Sequence, residues 1–159
     1  MRQRLSGILL ALLFAGGVLV FSYPTISDQW NSLHQSRAIA GYEDAVEGMS
    51  GEEYDALWQQ AYAYNAARES NTFDTDAFAE DATGLSDTEY WKILNVGGNG
   101  VMGYLSIPKI DQKLPIYHGS SEAVLQIAVG HLSGTGLPVG GEGNHCVLSG
   151  HRGLPTAKL

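Results

Sequence analysis

The stretch Asn144-His145-Cys146-Val147-Leu148-Ser149-Gly150-His151-Arg152-Gly153-Leu154-Pro155-Thr156-Ala157-Lys158-Leu159 holds the most specific text in the chain. Apolar and β-favouring residues run into Ser149-Gly150, then His151-Arg152-Gly153, then Leu154-Pro155. The pattern predicts a short buried strand that delivers a histidine at its C-terminal end, where the chain turns into a loop. A histidine there is placed for acid–base work, because the strand is rigid while its end opens to a cleft. On composition alone, a single histidine at a strand end is more often structural than catalytic.

Cys146 is no partner for His151 in this reading. The two differ in parity along a strand, so their side chains face opposite sides. Five residues at about 3.3 Å each also separate them by roughly 16 Å, far beyond hydrogen-bond reach. Cys146 reads as a small packed apolar group beside Leu148. A metal site built from His145, Cys146 and His151 fails on the same distances, and His118 and His131 supply no ligand spacing that repairs it. Those two read as ordinary histidines near loops.

Upstream, short strands alternate with turns. Val96-Gly97-Gly98-Asn99-Gly100 is a turn, Val101–Ile107 a strand stopped by Pro108, and Leu114–Tyr117 a second strand. Pro115 predicts that this second strand is an edge or carries a bulge. Residues 120–129 read as a helix capped by Ser120 or Ser121, with Val124, Leu125 and Ala128 facing the body. Gly130–Thr135 and Pro138–Gly143 read as loops. Residues 91–159 therefore predict a mainly β barrel or sandwich.

The N-terminal half has a different texture. After Met1-Arg2-Gln3-Arg4, an uncharged apolar run extends from Leu5 to Tyr23. It just meets the roughly 20 residues that a bilayer-spanning helix needs. The two arginines favour keeping the start inside and exporting the rest. No small-x-small triplet closes the run, so residues 1–23 read as an uncleaved signal anchor, with a cleaved signal peptide as the alternative. Residues 24–70 read as a helical hairpin. Ile26, Trp30, Leu33, Ile39, Tyr42 and Val46 recur at helical spacing, and Ser50-Gly51-Glu52-Glu53 forms a capping box before Tyr54, Leu57, Trp58, Ala61 and Tyr62. These aromatics read as packing between the helices and a body. Residues 71–90 are an acidic loop containing Asp76-Ala77-Phe78.

Composition narrows the function. With 44% hydrophobic and 16% charged residues the chain has the makeup of a folding protein, not a disordered one. A net charge of −8 argues against nucleic acid as a partner. Of the acidic residues only Asp111, Glu122 and Glu142 follow Glu89, so an acidic region precedes a nearly neutral, glycine-rich one. The single cysteine excludes an internal disulfide.

Several pieces of this text together resemble the class C, pilus-building sortases. They are Gly100-Val101-Met102-Gly103-Tyr104, Ile107-Pro108-Lys109-Ile110, Leu114-Pro115-Ile116-Tyr117-His118-Gly119, Gly130-His131-Leu132 and Ser149–Leu159, with a looser likeness over Tyr23-Pro24 to Trp30-Asn31. The resemblance implies a sortase-like β-barrel, incomplete over these residues, behind a membrane helix and a helical hairpin. It identifies His151 as the acid–base histidine. It also implies that the nucleophilic cysteine and the arginine lie beyond Leu159, so that the chain is an N-terminal fragment, inactive by itself. Asp76 and Phe78 match the ends of the family's Asp-Pro-aromatic lid. Ala77 stands in place of the proline and frees a backbone angle that proline would fix. An acidic linker is the plainer alternative for that segment. The implied activity is transpeptidation of a Leu-Pro-x-Thr-Gly-like sorting signal on pilins or other surface proteins, with no cofactor and no metal. The implied location is the cell membrane, crossed once by residues 5–23, with the catalytic domain outside. The alternative is a non-catalytic, membrane-anchored extracellular binding module or a decayed sortase remnant.

Overall fold

Two helices lead into a small sheet in a computed structural model that describes residues 2–69 and 88–151. Helix α1 (Arg2–Glu47) includes Pro24 and does not stop there. Proline removes the hydrogen bond to the carbonyl four residues back, here that of Val20, while the neighbouring turns keep theirs. The change of composition at residues 23 and 24 is therefore not a helix end. The first part of α1 is long and apolar enough to cross a membrane, and none of that apolar stretch is buried within the protein.

The last third of α1 packs on the body. Gln35 donates from Nε2 to the Ile127 carbonyl at 2.6 Å. Ile39 is buried, and Tyr42 packs edge-to-face on Tyr104 with centroids 6.4 Å apart. Burial pushes the Tyr42 hydroxyl pKa up, and the neighbouring Tyr54 and Tyr104 add to it. Ile26, Trp30 and Leu33, which recur at the same helical spacing, are 60%, 63% and 57% exposed. A shared helical face does not by itself place these three side chains in the core.

Helix α2 (Gly51–Glu69) starts where the capping box predicts it. The Glu53 carboxylate accepts from the Ser50 N–H and hydroxyl at 2.9 Å each, and the Glu53 N–H donates back to Ser50 Oγ at 3.3 Å. Ala61 is fully buried, with Leu57 and Tyr64 packed against the core, whereas Tyr54 and Tyr62 are on the exposed side. Asn65 ties the helix to the body. Its Oδ1 accepts from the Leu137 N–H at 2.8 Å and its Nδ2 donates to Asn144 Oδ1 at 3.2 Å.

The sheet has four strands in the order β1-β2-β3-β4: β1 (Val101–Ile107), β2 (Gln112–His118), β3 (Val129–His131) and β4 (Leu148–Ser149). Strands β1 and β2 form an antiparallel hairpin joined by a 3-10 turn at Pro108–Ile110. Strands β2 and β3 are parallel, and β3 and β4 antiparallel. The sheet is the body on which the helices dock, although more of the described residues are helical than extended.

Three local expectations are corrected here. Pro115 is buried in an interior strand, not on an edge. It is tolerated because β3 begins opposite Ile116, leaving β2 with β1 alone beside it at Pro115, where Tyr104 is its partner. The bulge lies in β1, between Val101 and Gly103. The helix read over 120–129 is one turn, α3 (Glu122–Leu125), because Val129 is taken into β3. Strand β4 spans two residues, and 144–147 bond to the 132–136 loop without ladder geometry: Leu132 N–H donates to the Val147 carbonyl and Gly136 N–H to that of His145, each at 2.9 Å.

His118 and His131 are buried residues of β2 and β3 in register with each other, not histidines of loops. The His118 ring nitrogens lie 3.0 and 2.8 Å from the carbonyls of Gly100 and Ile93, which fastens the turn before β1 to β2. Tyr90, 1% exposed, joins the set. Its hydroxyl accepts from the Gly119 N–H at 2.8 Å and lies 3.0 Å from His131 Nδ1. Gly130 sits where β3 crosses residue 119, and a Cβ there would collide with the Gly119 carbonyl oxygen.

Candidate functional site

The site forms where β4 ends. His131 pairs with Leu148 and Gly130 with Ser149, so β4 is held along β3, and Leu148 packs against the core. Gly150 follows and His151 emerges with 35% of its side chain exposed. The segment before it is held by Thr135, whose Oγ1 donates to the Leu132 carbonyl at 2.8 Å and accepts from the Val147 N–H at 3.2 Å. His131 Nε2–H donates to the Gly136 carbonyl at 2.9 Å. The buried Tyr90–His131 pair and the 132–136 loop thus fix the strand that presents His151.

His151 meets one carboxylate. Its Nε2 lies 3.4 Å from both Glu122 oxygens, at the start of α3. Glu122 also accepts from Gln126 Nε2 at 3.1 Å. The Gln126 amide first, and His151 second, hold the Glu122 carboxyl below the usual carboxylate range. A histidine ring that is partly open to solvent and oriented by an anion can exchange a proton with a substrate.

Cys146 is half-buried, and burial pushes its thiol pKa up. A nucleophile needs the opposite shift, toward thiolate. His145 is exposed. Among the described residues no three of His, Cys, Asp and Glu come close enough together to hold a metal ion. Asp76 and Phe78, the expected lid pair, lie outside the described residues, as does Arg152.

Glu122 was not marked by the sequence, because it is 29 residues from His151 and no local spacing links them. Tyr90 falls at the end of the segment that reads as an acidic loop, yet it is a core residue. The apolar residues that follow it, Trp91, Ile93 and Leu94, are the available signal.

The sortase domain family matches residues 105–158. Over those residues and the sheet before them, the chain is similar to the sortases. Within that family its likeness is to class C. Sortase C1 from Streptococcus agalactiae is 41% identical with a TM-score of 0.66, over 76% of this chain and 61% of that one. Sortase C-1 from Streptococcus pneumoniae is 36% identical with a TM-score of 0.64, over 77% and 62%. A second sortase C structure from Streptococcus pneumoniae, described for its catalysis and pilin substrate specificity, is 39% identical with a TM-score of 0.64, over 77% and 59%. The chain thus spans about three fifths of the length of these solved relatives. No curated protein matches it.

Proposed function

We propose that the gene product is a membrane-anchored class C sortase that joins pilin subunits through lysine isopeptide bonds. The observation that carries this reading is His151, presented about one third exposed at the end of β4 on a strand fixed by buried hydrogen bonds. In the proposed reaction a cysteine thiolate attacks the Thr–Gly carbonyl of a Leu-Pro-x-Thr-Gly-like signal. A thioacyl enzyme forms and the glycine amine departs, taking a proton from the His151 imidazolium. A pilin lysine then attacks the thioester and gives its proton back to His151. The thiolate is released, the imidazolium is restored and the isopeptide bond is made.

Cys146 does not suit the nucleophile's role, since its thiol is pushed toward the protonated form. The reading puts the nucleophile, and an arginine that stabilises the oxyanion, on sequence following Leu159. Asp76 and Phe78 would form the lid over that cysteine. Residues 5–23 would cross the membrane once, with the domain outside, as the two N-terminal arginines favour.

The reading frame after codon 159 tests the proposal. A Thr-Cys pair followed by an arginine on a later strand is the expected result. A stop codon directly after Leu159 would favour a membrane-anchored binding module instead.

A further inference from the structure

We infer that Glu122 is a positioning residue for His151, fixing which ring nitrogen faces the substrate. The inference rests on the proposed acid–base role of His151. Both Glu122 oxygens lie 3.4 Å from Nε2. An ionised carboxylate only accepts, so the nitrogen facing it carries the hydrogen. The lone pair of the neutral ring is then on Nδ1, and Nδ1 is the atom that takes a proton and returns it. The proton on Nε2 stays directed at Glu122 throughout.

The carboxylate is itself held. Gln126, one helical turn on, donates to Oε1 at 3.1 Å. The turn carrying both residues is tied to α1 by Gln35, through the Ile127 carbonyl at 2.6 Å. The support for the His151 ring therefore runs back to the helix that docks on the sheet. Since Glu122 is 70% exposed, replacing it removes the interaction without opening the core.

The test uses the full-length gene product labelled with 15N-histidine, at alkaline pH where an imidazole is neutral. Wild type is expected to show widely split His151 ring-nitrogen resonances, those of a ring held with hydrogen on Nε2. In Glu122→Ala the two resonances move toward each other as the tautomers mix. In Glu122→Gln, whose amide oxygen can still accept from Nε2–H, the splitting is largely retained. The buried His118 and His131 report that the fold is unchanged. Turnover in Glu122→Ala falls about tenfold while KM stays put, as expected when a proton-transfer group is misaligned. Identical His151 nitrogen shifts in wild type and Glu122→Ala would overturn the inference. If His151→Ala left transpeptidation intact, the acid–base reading would fall instead, and the nitrogen shifts would still decide what Glu122 does to the ring.

Discussion

His151→Ala in the full-length gene product is expected to abolish transpeptidation, lowering turnover by roughly a hundredfold or more while leaving the protein folded. His151 has a third of its side chain in solvent and bonds only one exposed partner that the structure defines, so its loss should barely touch stability. The control is Cys146→Ala. That sulfur is half-buried with its thiol pushed toward the neutral form, so its removal should leave turnover largely intact. Loss of activity in the Cys146 variant with the fold preserved would overturn the assignment of that residue to packing.

The second large effect is on stability, and it falls on Tyr90. Its ring lies in the core beside His118 and His131, with centroids 5.1 and 5.6 Å away. Its hydroxyl is the acceptor for the Gly119 N–H. Tyr90→Ala should cost about 3–5 kcal/mol, the range for emptying a large aromatic site. Tyr90→Phe keeps the ring but takes away that acceptor, for about 1–3 kcal/mol. Denaturant unfolding of the full-length protein measures both. A Tyr90→Phe variant within about 0.5 kcal/mol of wild type would show that the hydroxyl is not needed, placing it among ordinary neutral substitutions.

Those two residues also show where sequence reasoning reaches and where it stops. The place of His151 at a strand end could be read because its signal is local: a β-favouring run, a Ser-Gly, then the histidine, within a handful of residues. The capping box at Ser50 and Glu53 was legible for the same reason, since a helix start is written within one turn. Tyr90 was not, because its importance comes from the turn of β2 at Gly119 and from His131 on β3, both distant along the chain. Glu122 belongs to this second kind, brought to His151 only by the crossover between two parallel strands.

Periodicity misled in one direction. Ile26, Trp30 and Leu33 repeat as regularly as Ile39 and Val46, but a repeat states which residues share a face and not whether anything lies against it. Pro115 misled in the other. The rule that proline avoids interior strands concerns hydrogen bonds at one residue, and at that residue β2 has a single neighbour. Strand order alone did not express this.

The most direct test of the central claim is to incubate the full-length gene product with a peptide bearing a Leu-Pro-x-Thr-Gly sequence and a lysine-containing acceptor, and to read the products by mass spectrometry. The account predicts cleavage between Thr and Gly, with the threonine carbonyl joined to the lysine amine. A folded protein that returns both peptides unchanged would contradict it.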